Sequence, residues 1–375
     1  MAVVLRKHLR ATDLLARLGG DEFAALATDC DAEPALAVAE KLRRAVEHMN
    51  FVWENRSFRV SASIGLTHIV EANTTVQEAV RTADVACYMA KEKGRNRTQL
   101  HHTSDLEFLQ RVGEMDWVQK LRVALDEDQF CLDAQKIVPL ADGPEAGLRV
   151  EALLRLRDRG GELVPPTTFL PAAERYNLMP LIDRWVVRHA FATLARVEAV
   201  GAQRIISCAI NLSGTTLSDA KFRDFLREEL RTHHIRPELI CFELTETSAI
   251  RDLEVAQRFI HSLREIGFRF ALDDFGFGMS AFGYLRHLSV DYVKIDGGFV
   301  RGMLSDPVDR AMVEMINHIG KVTGKKTIAE CAEHADIVEA LREVGVDYAQ
   351  GFALGAPEPF ESLLRKERRG DLAVA

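Results

Sequence analysis

From Phe130 onward the chain alternates apolar, strand-like runs with amphipathic helical stretches, and this alternation leaves few folds open. Strands are predicted near 130-140, 147-156, 204-213, 239-247, 268-276, 290-298, 325-333 and 347-355. Helical segments lie between them, among them "KFRDFLREELRTHH", "LEVAQRFIHSLREIG", "DRAMVEMINHIGKVTG" and "ADIVEALREVG". Eight strands with intervening helices over about 245 residues fit a (β/α)8, TIM-like barrel better than an open sheet.

In such a barrel chemistry collects at the C-terminal ends of the strands. This sequence places polar groups there repeatedly. The second strand carries Glu151 and Arg155, the third ends in Asn211, and the fourth has Glu243 and Glu246. The fifth gives Asp273 and Asp274, the sixth Lys294 and Asp296, the seventh Glu330 and Glu333, the eighth Gln350. Each alone is as well explained by an ion pair or a helix cap. Seven consecutive strands are not, because carboxylates converging on one mouth repel and cannot all ionise unless cations neutralise them.

The stretch "FRFALDDFGFGMS", residues 268-280, shows the same tension at short range. Neighbouring strand side chains face opposite ways, so Asp273 and Asp274 converge only where the strand ends or a cation draws them together. The plainer alternative is an N-cap for a following helix. Oxygen ligands without His or Cys select hard ions, Mg²⁺ or Mn²⁺ rather than Zn²⁺. Two such ions suit an in-line displacement at phosphorus. Lys294 would orient or deprotonate the water or stabilise developing charge, Arg155 would hold a phosphate oxygen, and "GFGMS" would form a moving loop. The same acids with a lysine base also suit proton abstraction beside a carboxylate, as in enolase-like barrels, and spacing does not separate the two.

A formal net charge of -8 argues against nucleic-acid polymers and anionic membranes as partners. The six cysteines form no CxxC pair and sit mostly among apolar neighbours, as reduced core thiols of a cytoplasmic protein would. His101-His102 and His233-His234 read as solvated loop or helix-end residues. With no 18-residue apolar run and no signal-peptide pattern, the expectation is a chain that neither spans a membrane nor is secreted.

Residues 1-103 differ in kind. A short helix, the hairpin-like "ARLGGDEFAALA", the helix "PALAVAEKLRRAVEHM", the alternating strand "FRVSASIGLTHIV" and the helix "TVQEAVRTADVACYMAKEKG" make an α+β pattern. Residues 104-129 have helical periodicity and read as a stiff connector to the barrel at 130-375.

The ordered motifs "EALLR", "NLS", "ELTE", "DDFG", "KID", "AExxE" and "QG" resemble the EAL family of cyclic di-GMP phosphodiesterases over about 130-365. The resemblance implies hydrolysis of one phosphodiester of cyclic di-GMP to linear pGpG with two ions, Mg²⁺ or Mn²⁺. It implies metal ligation by Glu151, Asn211, Glu243 and Asp273, with Asp274 at the second ion. It further implies a catalytic Lys294, an essential Glu330, Gln350 near the reacting water, and Arg155 on a substrate phosphate. Glu246 would anchor the loop after the fifth strand, with Asp296 and Glu333 supporting the site. Because such barrels often pair, a homodimer through this domain is open. Receptors of this type that bind without cleaving usually lack metal ligands, and here all are present. Departures fall at Phe277 and Met279 of the loop and at Cys331-Ala332, where the family usually has Gly-Val.

The first part resembles the GGDEF family of diguanylate cyclases through "RLGGDEF" (Arg17 to Phe23), "SIG" (Ser63 to Gly65) and "AKEKGRNR" (Ala90 to Arg97). The family's first strand, with a metal-binding Asp, would lie before Met1. Asp21 and Glu22 then lack their partner ligand, and no cyclase activity is expected of this truncated module. "RATD" matches the family's RxxD inhibitory site through Arg10 and Asp13. The alternative for that pair is an ordinary helix-end ion pair.

Overall fold

All eight expected strands form one closed sheet, seen in a computed structural model that describes residues 1-49, 51-53, 56-58, 60-69, 75-101, 106-141, 147-158, 160-199, 204-276 and 282-365. The chain divides into two compact units, Met1–Gln119 and Lys120–Ala375. The barrel strands are Phe130–Lys136, Leu148–Arg157, Ile205–Asn211, Ile240–Thr245, Arg269–Phe275, Tyr292–Ile295, Lys326–Ala329 and Tyr348–Ala349. From the second to the eighth each pairs in parallel with the next. The first runs antiparallel to the second. The cause is its connection: residues 137-147 are too few for the helical crossover that a parallel pair needs. The short strand Val138–Pro139, directly after the first, pairs with Tyr348–Ala349 and closes the ring.

Helices form where the apolar spacing predicts them, at Phe222–His233, Leu253–Arg264, Pro307–Val322 and Ala335–Val344. Their ends are set locally. Asp306 accepts the Val308 N–H at 2.8 Å ahead of Pro307 at the first helical position, and Gly345, with φ 75°, ends the last of the four.

Inside the ring the side chains stack in layers. The apolar layer is Ile137, Ala209, Cys241, Ala271, Tyr292 and Ile328, with Tyr348 packed against it. Because side chains alternate, the residue two positions further along each parallel strand forms the next layer toward the mouth. Those residues are Asn211, Glu243, Asp273, Lys294, Glu330 and Gln350, and Glu151 of the second strand joins them between Asn211 and Lys294. On the reversed first strand the equivalent step is two positions back, to Gln135.

The first unit has helices Ala2–Arg6, Ala32–Glu47 and Val76–Glu92, the last opened by a Thr75–Glu78 capping box. The GGDEF segment is a hairpin, Leu14–Gly19 against Glu22–Leu26, turned at Gly20 with φ 50°. The expected single strand "FRVSASIGLTHIV" is instead split. Arg56–Phe58 pairs with Phe51–Trp53, and Ile64–Leu66 pairs in parallel with Thr98–Leu100. Gly65 lies against the third helix so closely that an added Cβ would stand 2.0 Å from the Ala83 carbonyl oxygen. The stretch expected as a connector holds the helix Leu106–Asp126, and the division between the two units falls within it, between Gln119 and Lys120.

The six cysteines are free, but only Cys208 and Cys241 are fully buried and the other four are half-exposed. His233 ends a helix and His234 follows it at φ 54°, as expected of helix-end residues; His102 lies outside the described residues.

Candidate active site

The polar layer gathers four carboxylates around one ammonium. Lys294 Nζ, fully buried, lies 2.7 Å from Glu243, 2.8 Å from Glu330, 3.1 Å from Asp273 and 3.4 Å from Glu151. Burial opposes the charge on Lys294, but Asp273, Glu151, Glu243 and Glu330 together hold the ammonium well above the usual lysine range. Burial also pushes Glu243 well up, with Glu151 and Asp273 adding to it against the pull of Lys294, and Glu330 up to about 8. Glu151 moves the other way despite its burial, because Lys294, Gln350 and Asn211 stabilise its charge. The mouth therefore carries more negative potential than its one lysine can balance.

The paired aspartates have a structural answer. Between Leu272↔Val293 and Phe275↔Ile295 the register slips, so that Asp273 and Asp274 together oppose Lys294. Two residues opposite one is a β-bulge, which re-aims side chains beside active sites. Asp274 takes φ 53°, a left-handed conformation that Asp tolerates better than most residues. Both acids thus reach the same mouth, where carboxylate oxygens of Asp273, Asp274 and Glu330 lie within 4.8 Å of one another. Neither caps a helix among the described residues.

The donor set suits a hard cation. Glu243 Oε1 and Gln350 Oε1 are buried without a hydrogen-bond partner, and Asp273 Oδ1 has only the ion-pair contact of Lys294. Such orphaned oxygens are costly in a core and natural in a ligand shell. Asn211 joins them by donating from Nδ2 to Glu151 at 2.6 Å.

Gln350 is held by Gln135, a residue that no sequence motif marks. The Gln350 amide nitrogen donates to Glu151 at 2.7 Å and to Gln135 Oε1 at 3.0 Å, while Gln135 donates to the Gly355 carbonyl at 2.9 Å. These bonds fix the Gln350 amide so that Oε1 is the end left over. Gln135 stands directly across from Glu151 in the antiparallel register, a signal visible only once the first strand is known to be reversed.

The other expected residues separate into a rim and a support. Arg155 pairs with Asp133 at 3.0 Å. Glu246, buried at the start of a helix, accepts the Gly276 N–H at 2.8 Å and the Tyr284 hydroxyl, and so grips both sides of the loop after the fifth strand. Burial, then Glu246, pushes the Tyr284 phenol upward. Phe277 and Met279 lie outside the described residues. Asp296 caps the helix Gly297–Gly302 through Gly298 N–H at 2.7 Å, and Glu333 faces Arg301 at 3.7 Å; neither contacts Lys294. In the first unit Arg10 and Asp13, offered alternatively as an ion pair, are linked through the backbone, the Arg10 N–H donating to Asp13 Oδ2 at 2.7 Å while the Arg10 residue is exposed.

Asp183, on the helix Met179–Ala199, is buried with no expected role. Burial pushes its carboxyl up to about 6, against the bonds from Ser213 and Thr216. Since this exceeds the ordinary 3.8, the native state holds that proton more tightly than the unfolded chain, and the contribution to stability falls as pH rises through the interval. The loss amounts to about 3 kcal/mol. Asp183→Asn removes this dependence, so its stability relative to wild type should improve by about that much between pH 4 and pH 7.5 in urea melts. A gap that stays constant with pH would contradict the assignment.

Comparison with known proteins places this architecture. The EAL domain family model matches residues 118–357, and the diguanylate cyclase GGDEF domain model matches residues 1–97. The chain belongs to the EAL domain family and carries a GGDEF-type segment ahead of it. It is 36% identical over 365 residues to the cyclic di-GMP phosphodiesterase PdeB of Shewanella oneidensis, covering 96% of this chain and 42% of that protein. It is 34% identical over 360 residues to the bifunctional diguanylate cyclase/cyclic di-GMP phosphodiesterase MucR of Pseudomonas aeruginosa, covering 96% and 52%. The chain thus spans about half the length of these relatives. The PaMucR phosphodiesterase in complex with c-di-GMP overlays with a TM-score of 0.62 at 34% identity, covering 66% of this chain and 100% of that one. The FimX EAL domain of Pseudomonas aeruginosa bound to c-di-GMP gives 0.60 at 28%, covering 65% and 96%. Among the described residues no helix is long and apolar enough to cross a membrane.

Proposed function

We propose that the barrel hydrolyses one phosphodiester bond of cyclic di-GMP to give linear pGpG. The observation that carries this is the polar layer: four carboxylates around Lys294, with buried oxygens of Glu243 and Gln350 unpartnered, at the mouth of a barrel like those of c-di-GMP-bound relatives. Glu151, Asn211, Glu243, Asp273 and Asp274 would hold two divalent ions, Mg²⁺ or Mn²⁺. When bound, these ions supply an activated water and charge stabilisation at phosphorus.

The chain's own groups do the rest. Lys294, an ammonium ringed by acids, acts as donor and counter-charge to the phosphoryl oxygens rather than as a base. Gln350 presents Oε1 as an acceptor that orients the attacking water, and Glu330 closes the acid trio with Asp273 and Asp274. Arg155 offers its guanidinium to a phosphate oxygen in exchange for part of its bond to Asp133. Glu246 keeps the loop after the fifth strand in register with the mouth. An enolase-like reaction has no support from these relatives. A homodimer through the barrel belongs to the same proposal; sedimentation of the whole chain as a species of one chain's mass would remove it.

The decisive experiment is chromatography of purified protein incubated with cyclic di-GMP and Mg²⁺, beside an EDTA control. The expected result is pGpG that is absent with EDTA. Intact substrate, together with measurable binding of cyclic di-GMP, would replace the enzyme by a receptor.

A further inference from the structure

We infer that Asp183 is a positioning residue for Asn211, fastening the turn after the third barrel strand and so fixing where the Asn211 amide stands beside Glu151. This rests on the proposal that Asn211 is an ion ligand.

The geometry is a short lever. Asp183 is 3% exposed, and its Oδ2 receives the Ser213 N–H at 3.0 Å, the Ser213 hydroxyl at 2.6 Å and the Thr216 hydroxyl at 2.6 Å. Ser213 is two residues beyond Asn211. Between them, the Leu212 N–H donates to the Glu243 carbonyl at 2.9 Å. The turn is therefore held from two sides, by the backbone of the fourth strand and by a carboxylate from the helix that precedes the third. At its free end Asn211 makes the 2.6 Å bond to Glu151.

The choice of residue is informative. Among the described residues no basic side chain is in hydrogen-bond contact with Asp183; its neighbour Arg184 pairs with Asp219 at 2.8 Å. A buried acid with no basic side chain in hydrogen-bond contact is balanced chiefly by the donors it collects, and the three here all belong to the turn, ahead of the more distant charge of Arg184. Without it, Ser213 and Thr216 keep bonds local to the turn, the Thr216 N–H to the Ser213 carbonyl at 3.1 Å and hydroxyl contacts at 3.0 Å from Ser213 to Thr215 and 3.2 Å between Ser213 and Thr216. Those contacts do not tie the turn to the barrel wall.

The test is calorimetric titration of the intact chain with Mn²⁺, beside thermal melting, for wild type, Asp183→Ala, Asp183→Asn, Ser213→Ala, Asn211→Ala and the double variant Asp183→Ala/Asn211→Ala. Asp183→Ala is expected to weaken Mn²⁺ binding by about tenfold or more, the usual size of losing a group that orients a ligand. Asp183→Asn, whose Oδ1 accepts at the same place, should recover most of the affinity. The double variant should bind no more weakly than Asn211→Ala alone, since the lever then moves nothing. Wild-type affinity in a less stable Asp183→Ala overturns the inference, as does an equal loss with and without Asn211. Should Asp183→Ala fail to fold, Ser213→Ala carries the test: weaker Mn²⁺ binding supports the lever and wild-type affinity overturns it. Wild-type affinity in Asn211→Ala overturns both the lever and the ligand assignment beneath it, which separates the two failures.

Discussion

Asp273→Asn should reduce pGpG formation on the order of 10³-fold at saturating Mg²⁺, the scale of losing one electrostatic stabiliser of a reacting group. Asn keeps the shape of the side chain and removes its charge at the inner position of the bulge, opposite Lys294. The fold should survive, because the change lies at the mouth and the apolar layer beneath it is untouched. Asp296→Asn is the matched control. It alters an acid of the next motif whose carboxylate caps a helix, a task Asn performs as well, and whose charge also reaches Asp274, so turnover should fall far less than in Asp273→Asn. Chromatographic rates for both variants decide the matter. Retained turnover in Asp273→Asn, or an equal collapse in Asp296→Asn, would remove the two-ion reading.

The contrast between those two acids also marks where the sequence stops being legible. Strand ends from the second to the eighth are readable, because a polar residue that closes an apolar run is tolerated at a barrel mouth and costly inside the barrel. Whether Asp296 faces the mouth or a helix terminus is not, since its spacing from Lys294 fits both. The adjacency of Asp273 and Asp274 stands out as an anomaly, yet its resolution by a bulge depends on register with the sixth strand, which no local pattern encodes. Gln135 escapes for a similar reason. Its place opposite Glu151 follows from the reversal of the first strand, and that follows from the length of the connection at 137-147. Asp183 sits in a helix and reaches the site only through Ser213 and Thr216, a tertiary contact without a sequence signature. In the first unit the alternation of "FRVSASIGLTHIV" suggests one strand where there are two. The small residues at 61-63 offer a sheet little to bury, and the two ends pair with different partners.

Lys294→Met tests the electrostatic argument where its effect on stability is largest. The substitution keeps the length of the side chain and deletes the ammonium, leaving Glu151, Glu243, Asp273 and Glu330 facing one another. Removing one partner from a buried ion cluster costs about 3 to 5 kcal/mol, so the variant should melt well below wild type in EDTA. Divalent ions then do two things at once. They replace the missing positive charge, and the mass-action stabilisation, about 2.7 kcal/mol per site when Mg²⁺ is at about 100 times its dissociation constant, is larger in the variant because its uncompensated acids bind the ion more tightly. The gap between variant and wild type should therefore narrow on adding Mg²⁺, while kcat stays depressed by about 10²-fold or more with little change in KM, because the donor to the reacting phosphoryl group is gone. A gap that Mg²⁺ leaves unchanged would mean that the acids around Lys294 do not take up the ion. A rise in KM with kcat intact would make Lys294 a substrate-binding residue, and the chemistry would have to be assigned elsewhere in the mouth.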